Sequence, residues 1–416
     1  MNIQPGPGFQ ERMARFQAAL ALQEPDRVPF IPTMGNISVI EYGADFGITI
    51  KDVMEEQTKA IPLIDRLLED MIPDRFYGPD FFPKLGMDIL QPTNINYAGK
   101  TPDFHDNFVY QCLDHEYLGE DDYDAFIKDP SYYFLTKVLP KKFPPLKGLE
   151  MLNPYSLCGS TVMGFGALAA PPMQAALQTL MDAGNKVSEY LQSAAAVGFH
   201  LMEKGIPGWG NCVCSSPFDD FADNIRGMLN TVMDLTEDPE MVMEAVNKYT
   251  DVTIQSTIGM AKMMHSDTVF IPLHVGVDEF MSVDTYSKYY WPPLRKMLLA
   301  YIDAGLTPMV FCEGNYFTRL EIIKDVPRGK VVYLFEKQDM ANAKKVLGDV
   351  ACIAGNFDVN LLSHGTPEQV TEETKRMLDI FAPGGGYIMS NGISLDVGKR
   401  ENLAAWYEAV EKYGKY

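Results

Sequence analysis

Strand-like and helical segments alternate throughout the second half of this 416-residue chain. Runs rich in β-branched and aromatic residues recur there, and each is followed by apolar residues at helical spacing. The strand-like runs cover 207–213, 268–274, 307–312, 331–336, 351–355 and 387–390. Strands that are separated by helices pair in parallel through right-handed crossovers. The pattern therefore restricts the chain to a closed barrel of alternating strands and helices or to an open doubly wound sheet.

The first half of the chain favours the barrel. Residues 11–23 and 51–71 have the apolar spacing of amphipathic helices, and residues 28–31 are predicted to form a short buried strand. No GxGxxG motif follows that strand, whereas doubly wound dinucleotide-binding folds carry one there. We therefore predict a single (β/α)8 TIM barrel over residues 1–416. Residues from about 72 to 170, dense in proline, aspartate and aromatic side chains, are predicted to be an irregular insertion.

Charge and cysteine content exclude several classes of partner. The chain has 35 Lys and Arg against 56 Asp and Glu, a formal net charge of −21, which repels nucleic acid and anionic membranes. No apolar run reaches the roughly 18 residues of a membrane span, and the N-terminus does not resemble a secretory signal. Six cysteines are too few for a disulfide scaffold, and we interpret Cys212 and Cys214 as buried or pocket-lining thiols. These features predict a cytoplasmic protein.

Polar side chains occur where four successive strands are predicted to end. His274, Glu313 and Glu336 end three of them, and Asn356 and Asp358 follow the fourth. In a TIM barrel the catalytic residues lie at the carboxyl ends of the strands. One imidazole and two carboxylates at one mouth could hold Zn²⁺ with an open coordination position. The same groups could instead form a metal-free acid–base cluster, in which close carboxylates shift one another's pKa.

Each of these groups also has a purely structural interpretation. His274 could be a hydrogen-bonded residue of the fold, and Glu313 could belong to a turn before a helix. Glu336 could pair with Lys337 or Lys344. Three such groups on three successive strands are harder to explain in this way together than singly.

Several segments resemble the uroporphyrinogen decarboxylase superfamily. One of these segments, near the N-terminus, is ERMARFQAALALQEPDRVPF. The others, in the C-terminal third, are LLAYIDAGLTPMVFCEGN, AKKVLGDVACIAGNFDVNLLSHGTPEQV and GGYIMSNGI. The likeness covers about the first 30 residues and most of 200–413, but not the region from 72 to 170. It implies a single (β/α)8 barrel with the active site at its mouth, and it makes a homodimer an expectation.

The branch of the superfamily is indicated by what the matching positions hold. Its decarboxylases carry an arginine-rich stretch after the first strand and a histidine near the C-terminus, whereas here residues 32–43 are PTMGNISVIEYG and residues 390–393 are SNGI. Its coenzyme M methyltransferases hold zinc with two cysteines and a histidine, where this chain has Phe311, Glu313 and Asn391. A His and Glu set resembles that of the corrinoid-dependent O-demethylase first components, which are described as zinc proteins.

The resemblance therefore implies a corrinoid-dependent methyltransferase. It would move a methyl group between a methylated small molecule, such as a methyl ether, and a corrinoid carried by a partner protein. His274, Glu313 and Glu336 would be the catalytic residues and the Zn²⁺ ligands. The residues expected to bind or enclose the substrate are Asn356, Asp358, Asn391, Trp209, Phe311 and Tyr316.

Two other functions stay open at this point. A metal-free decarboxylase of a tetrapyrrole or another carboxylated substrate would need a cation in the mouth, and Arg226 and Lys84 are the candidates. A non-catalytic binding protein would leave the strand-end carboxylates solvated and bind no metal.

Overall fold

The strands of the structure lie mostly where the sequence pattern places them. The structure is a computed structural model that describes residues 4–78, 82–208 and 212–416. Its strands are β1 (Ile95–Asn96), β2 (Gln111–Cys112), β3 (Cys212–Val213), β4 (Thr268–Leu273), β5 (Thr307–Asn315), β6 (Val332–Lys337), β7 (Cys352–Gly355) and β8 (Tyr387–Ile388). β3 to β8 form one parallel sheet in chain order, as the alternation of strands and helices predicts.

Two extended segments of the first half close this sheet into a ring. Their isolated backbone bridges are Phe30 with Met389, Thr33 with Tyr77, and Phe76 with Gly208. The segment around Phe30 therefore lies beside β8, and the segment around Phe76 lies beside the chain that leads into β3. Together with the six strands they make eight parallel elements, and the predicted (β/α)8 barrel is confirmed.

Alternation of side chains separates the inside of the barrel from its outer wall. The inward residues form one buried cluster that includes Phe270, Met309, Phe311, Val332, Leu334, Cys352, Ala354 and Ile388. Their sequence neighbours, such as Ile271, Val310, Tyr333 and Ile353, belong to the cluster beneath the surrounding helices. The chain at the end of the first helix packs against Gly329, Gly385 and Gly386, which precede β6 and β8. That helix therefore covers the amino end of the barrel, and the carboxyl end is the one left for a site.

The α-helices surround the barrel and build the insertion. They are α1 (Phe9–Leu20), α2 (Ile37–Tyr42), α3 (Ile50–Glu55), α4 (Ile61–Asp70), α5 (Lys84–Leu90), α6 (Tyr123–Lys128), α7 (Pro130–Tyr133), α8 (Leu139–Lys142), α9 (Pro154–Leu157), α10 (Pro171–Glu203), α11 (Pro217–Phe221), α12 (Met228–Glu237), α13 (Pro239–Met263), α14 (Val283–Thr285), α15 (Trp291–Asp303), α16 (Leu320–Ile323), α17 (Met340–Leu347), α18 (Val359–His364), α19 (Pro367–Phe381) and α20 (Arg400–Tyr413). Within the described residues, no helix is both long and apolar enough to cross a membrane.

Shorter turns interrupt some of the predicted helices. The 3₁₀ segments are Gly43–Asp45, Gln57–Ala60, Glu120–Asp122, Pro144–Met151 and Met163–Ala169, and the π-helical turns are Phe134–Val138, Ala222–Arg226 and Tyr286–Tyr290. The single helix predicted over 51–71 is wrong, because α3 stops at Glu55 and Pro62 lies in the first turn of a new helix. Pro292 and Pro293 begin α15 directly after a π-helical turn, so the predicted break at this pair is confirmed.

Candidate active site

The strand register brings four of the predicted residues to one level of the barrel. Leu273, Cys312, Phe335 and Gly355 form a paired row across β4 to β7. The residues that directly follow this row are His274, Glu313, Glu336 and Asn356. Phe311, two residues before Glu313, belongs to the interior cluster, so alternation turns this level towards the barrel axis. The predicted convergence at the carboxyl end is thus present in the register.

His274 is held by an aspartate that the sequence analysis did not select. Its Nε2 lies 2.9 Å from Oδ1 of Asp223, and both side chains are about one-third exposed. Burial alone lowers the pKa of His274, but the hydrogen bond to Asp223 and the charges of Asp219, Asp223 and Glu313 outweigh it and raise the pKa to about 9. His274 is therefore an imidazolium at neutral pH.

Asp219 fixes the backbone next to this imidazolium. Asp219 lies in α11 and is fully buried. Its Oδ1 accepts a hydrogen bond from the backbone N–H of Val275 at 3.0 Å. Its Oδ2 accepts hydrogen bonds from the hydroxyls of Tyr290 at 2.6 Å and Ser216 at 2.8 Å. Burial raises the pKa of Asp219, although the charge of His274 and these hydroxyls oppose the shift. Asp219 is thus a positioning residue for the loop that carries His274.

Glu313 is the carboxyl group best placed to exchange a proton with a ligand. It is accessible to solvent at the mouth of the barrel, yet the protein around it still removes enough water to raise its pKa. The charges of Glu336, Asp219 and Asp223 raise the pKa further, whereas the charge of His274 lowers it. Glu313 and His274 therefore form a carboxyl–imidazole pair in which each group shifts the pKa of the other. A bound molecule could reach this pair.

Glu336 and Asn356 hold the loops around Glu313. The Oε2 atom of Glu336 accepts a hydrogen bond from the backbone N–H of Gly314 at 2.6 Å. Gly314 has a φ of 85°, a conformation that favours glycine. Asn356 Nδ2 donates to the backbone oxygens of Glu336 and Gln338, each at 3.2 Å. The carboxylate of Glu336 therefore fixes the chain that follows Glu313.

The predicted zinc ligands do not form a ready-made metal site in this arrangement. Within the described ranges, no group of three or more His, Cys, Asp and Glu side chains could hold a metal ion. His274 is hydrogen-bonded to Asp223 through Nε2, which leaves Nδ1 as the ring nitrogen that could ligate a metal, and Glu336 accepts the hydrogen bond from Gly314 through Oε2 only. The ligand set His274, Glu313 and Glu336 stays a prediction.

Two residues of the insertion reach the same site. Lys142 in α8 donates a hydrogen bond from Nζ to Oδ1 of Asn224 at 2.7 Å, and Asn224 Nδ2 donates to Asp220 Oδ1 at 2.8 Å. Burial lowers the pKa of Lys142, and the charges of Asp220, Asp223 and Cys112 oppose that shift. Burial and the charges of Asp223 and Glu313 raise the pKa of the Cys112 thiol in β2, while Lys142 lowers it. The insertion therefore supplies a cation and a thiol to the barrel mouth.

The sequence carried a signal for the missed aspartates but none for the insertion residues. The stretch PFDDFADN follows a predicted strand end, and Asp219 and Asp223 are four residues apart, which places them on one face of a helix. Their placement over the site could have been inferred from that spacing. Lys142 and Cys112 are more than 70 residues from this stretch in the sequence, and no local pattern links them to it.

Phe311 lies in the interior cluster beneath the mouth, where its ring stacks on Phe270 with centroids 5.9 Å apart. Tyr316 is also buried, but it belongs to the outer cluster, and its ring forms a T-shaped pair with that of Tyr286, with centroids 6.4 Å apart. Phe311 therefore forms an apolar floor for the site, whereas the structure does not bring Tyr316 into the interior. Trp209 lies outside the described residues.

Asn391 and Asp358 are used by the fold itself. Asn391 is fully buried. Its Oδ1 accepts a hydrogen bond from the backbone N–H of Thr33 at 2.8 Å, and its Nδ2 donates one to the backbone oxygen of Thr33 at 3.0 Å. Asp358 caps α18 by accepting a hydrogen bond from the N–H of Asn360 at 2.9 Å. Their contact with a substrate stays a prediction.

The two cations considered for a decarboxylase are already neutralised. Arg226 donates from Nε to Oδ2 of Asp234 at 2.6 Å and also pairs with Glu116. Lys84 donates from Nζ to Asp88 at 2.6 Å. A substrate carboxylate would have to displace the acidic partner that each of them already has. Other basic groups lie nearer the mouth, namely His274, Lys142 and Lys337, the last of which lies 3.9 Å from Glu336.

Comparison with known proteins places this arrangement in a family. The chain resembles the uroporphyrinogen decarboxylases of Pseudoalteromonas translucida, with 34% identity over 77 residues, and of Serratia proteamaculans, with 36% identity over 81 residues. These matches cover 18% and 19% of this chain, and they span only about a fifth of the relatives' length, 21% and 22%.

A solved structure resembles the whole fold. It is a methyltransferase from Methanosarcina mazei, which superimposes with a TM-score of 0.60 over 97% of this chain and 98% of its own. At 14% sequence identity, this likeness shows the fold alone. A family profile for uroporphyrinogen decarboxylase (URO-D) matches residues 172–413, which is more than half of the chain and includes all the strand-end residues described above. The chain belongs to the uroporphyrinogen decarboxylase (URO-D) family.

Proposed function

We propose that the protein is a corrinoid-dependent methyltransferase that moves a methyl group between a methyl ether and a corrinoid on a partner protein. The observation that carries the proposal is the carboxyl–imidazole pair of Glu313 and His274 at the barrel mouth. Glu313 is accessible, and His274 is hydrogen-bonded to Asp223, which favours its imidazolium form. The solved methyltransferase with a similar fold supports the coarser part of the proposal, because it is a methyl-transferring protein of this architecture.

The difficult part of such a reaction is the departure of the ether oxygen. Breaking the bond between the methyl carbon and the oxygen leaves an alkoxide, which is a poor leaving group unless its charge is neutralised. A bound corrinoid supplies the nucleophile that accepts the methyl group. The protein must then provide a proton, or a positive charge, at the oxygen.

Glu313 is suited to provide that proton. Burial raises its pKa above that of a free carboxyl group, which makes it a better match for a general acid, and its accessibility lets a substrate oxygen approach. As the carbon–oxygen bond breaks, the proton of Glu313 passes to the oxygen, the product leaves as a neutral alcohol, and Glu313 becomes a carboxylate. The neighbouring imidazolium of His274 stabilises that carboxylate, because an opposite charge favours the ionised form.

The zinc implied by the family resemblance belongs to the same proposal. Its ligands would be His274, Glu313 and Glu336, and its chemistry would be to polarise the ether oxygen. Binding would require His274 to give up a proton, and Glu336 would ligate through Oε1, because its Oε2 accepts the hydrogen bond from Gly314. We therefore assign proton donation to Glu313 without routing any step through a metal.

The mouth holds more carboxyl groups than basic ones. The carboxyl groups are those of Asp219, Asp220, Asp223, Glu313 and Glu336, and the basic groups are His274, Lys142 and Lys337, whose Nζ lies 3.9 Å from Oε1 of Glu336. Such a mouth offers no excess of positive charge to a substrate with several carboxylates, so we infer a neutral methylated substrate.

The experiment is a turnover assay on purified full-length protein. A panel of methoxylated compounds is incubated with reduced cobalamin, and the demethylated alcohols are quantified by mass spectrometry. Formation of an alcohol that requires both cobalamin and protein is the expected result. No alcohol from any donor, together with CO₂ release from a carboxylated tetrapyrrole, would replace the proposal with a decarboxylase. Elemental analysis of the same preparation determines whether zinc is bound in stoichiometric amount.

A further inference from the structure

One lysine of the insertion has little of its hydrogen-bonding capacity used by the protein. Lys142 in α8 is half-buried, and its Nζ donates one hydrogen bond, to Oδ1 of Asn224 at 2.7 Å. Within residues 4–78, 82–208 and 212–416, this ammonium has no second acceptor and no carboxylate partner. Because a lysine ammonium carries three N–H donors, two of those of Lys142 can serve a bound molecule.

The backbone around Lys142 is fixed, so this lysine is not a loose surface side chain. The carbonyl oxygen of Lys142 accepts hydrogen bonds from Thr93, at 3.0 Å from the backbone N–H and at 3.2 Å from Oγ1. The preceding residue, Lys141, is exposed, and its Nζ donates to the backbone oxygen of Tyr117 at 2.8 Å. Of these two adjacent lysines, one is therefore bound to the backbone of the insertion, and the other reaches the barrel.

The π-helical turn Ala222–Arg226 connects Lys142 to the site. Asp223 of this turn lies 2.9 Å from Nε2 of His274, and the next residue, Asn224, accepts the hydrogen bond from Lys142. Turns of this kind occur frequently at functional sites. A molecule bound beside His274 therefore lies next to the turn that also holds the lysine.

Two carboxylates on this part of the chain balance the two basic groups. Asp223 contacts His274, and Asn224 donates from Nδ2 to Oδ1 of Asp220 at 2.8 Å. Burial lowers the pKa of Lys142, and the charges of Asp220 and Asp223 oppose that shift. An anion at Lys142 would therefore also meet these two carboxylates, whereas a hydroxyl or carbonyl oxygen accepts the hydrogen bond without that repulsion.

We propose that Lys142 determines substrate specificity by donating a hydrogen bond to a second, neutral oxygen of the methyl ether. The inference rests on the proposed function, because it concerns the molecule bound at the same mouth. The ether oxygen lies at Glu313 in this arrangement, and a hydroxyl or carbonyl oxygen lies at Lys142. An ether without the second oxygen removes water from the ammonium and gives it no acceptor, so such an ether should be a poor substrate.

The test compares methyl ethers in matched pairs. The probes are methoxyalkanols whose methoxy and hydroxyl groups are separated by two, three or four carbon atoms, each paired with the ether in which a methyl group replaces the hydroxyl. The ratio of kcat/KM for an alcohol to that for its matched ether is measured with reduced cobalamin. For the best pair, this ratio should fall by at least about tenfold in K142M, the loss expected for one hydrogen bond to a charged group.

The ratio separates specificity from structure. A purely structural role of Lys142 would change both members of a pair alike and leave their ratio unaltered. K142R keeps a charged donor and should retain most of the preference. The matched control is K137M, which changes an exposed lysine of the same insertion and should leave the ratio unchanged.

A second measurement reports binding without turnover. Cys112 is exposed, and its thiol lies close enough to Lys142 and Glu313 for their charges to affect its pKa. In the full chain without cobalamin, the alcohol should slow alkylation of Cys112 by iodoacetamide at a lower concentration than its matched ether does, and K142M should abolish that difference. Cys158, which is also exposed, should react equally with and without the probes.

The two measurements distinguish this inference from the proposed function. If the alcohols protect Cys112 through Lys142 but no ether is demethylated, the proposed function fails and the assignment of Lys142 stands. Equal protection by alcohol and ether, no protection by any probe, or a preference that K142M leaves intact overturns the assignment. Tighter binding of methoxyacetate than of methoxyethanol would overturn the neutral oxygen and replace it with an anion.

Discussion

The barrel strands and the insertion both contribute to the site, but they do so in different ways. His274, Glu313 and Glu336 reach the mouth because a regular parallel register carries three strand ends to one level. Lys142 reaches it from the insertion through a hydrogen bond to Asn224, and Cys112 lies close enough for the charges of Asp223 and Glu313 to affect its pKa. In the regular strands, periodicity thus determines which side chains reach the site, whereas in the irregular insertion tertiary packing determines it. The predictions below test whether catalysis depends on the first group more than on the second.

The largest effect is expected from the barrel residue Glu313. Replacing its carboxyl group by an amide in E313Q removes the transferable proton while preserving shape. General acid catalysis contributes about 10²–10⁴-fold, so the kcat of ether demethylation should fall by at least about a hundredfold, with little change in KM. The exposed Glu372 on α19 provides the control E372Q, which should retain full activity. If E313Q were as active as the unchanged protein, Glu313 would not be the acid.

The second effect concerns the partner of His274. In D223N the main hydrogen bond that raises the pKa of His274 becomes neutral, so this pKa should fall from about 9 towards 6.5. Activity at pH 8 should then fall by about tenfold, while activity at pH 6 changes less, because imidazolium persists there. The measurement is kcat/KM against pH, and D379N on the exposed side of α19 is the control. An unchanged alkaline limb would show that the protonation of His274 does not matter.

The barrel and the common level of its strand ends could be predicted from the sequence, because both follow from a period. Parallel strands of similar length place their ends together, and the register of β4 to β7 agrees with that expectation at His274, Glu313, Glu336 and Asn356. Which atoms these residues contact could not be predicted. The spacing of Asp219 and Asp223 indicates a shared helix face, but not that Asp223, in a π-helical turn, contacts the imidazole that was expected to hold zinc.

The insertion illustrates the same limit for long-range contacts. Lys84 and Arg226 were the cations considered from sequence, and the structure pairs both with carboxylates. Lys142 lies near the mouth instead, because its Nζ donates a hydrogen bond to Asn224, which is 82 positions further along the chain. Whether a lysine faces a site or a surface acid is decided by such contacts, and a single sequence does not contain them.

A smaller effect is expected from the insertion residue Lys142. K142M removes a positive charge that lowers the pKa of the Cys112 thiol, so less thiolate should form and alkylation by iodoacetamide at fixed pH should slow several-fold. K142R should restore the rate, whereas a purely packing role would not be restored by charge. K137M changes an exposed lysine of the same insertion and should leave the rate unaltered. Faster or equal alkylation in K142M would show that the charge of Lys142 does not lower the pKa of Cys112.

The smallest effect is on stability, and it follows from the same imidazolium. The pKa of His274 is raised from 6.5 to about 9 in the folded protein, so its stabilising contribution is fully present below pH 6.5 and is lost as the pH rises through 9. A third of the side chain is exposed, and solvent screening reduces this contribution to about 1 kcal/mol.

The free energy of unfolding of the unchanged protein, measured by urea denaturation, should therefore exceed that of H274Q by about 1 kcal/mol more at pH 6 than at pH 10. The control is H364Q, because His364 is exposed at the end of α18 and should show no such pH-dependent difference. An equal difference at both pH values would mean that folding does not raise the pKa of His274, and a smaller difference at pH 6 than at pH 10 would mean that His274 is held neutral in the folded protein. The imidazole would then be free to ligate a metal, and the zinc set predicted from the strand ends would gain support over the proton donor proposed here.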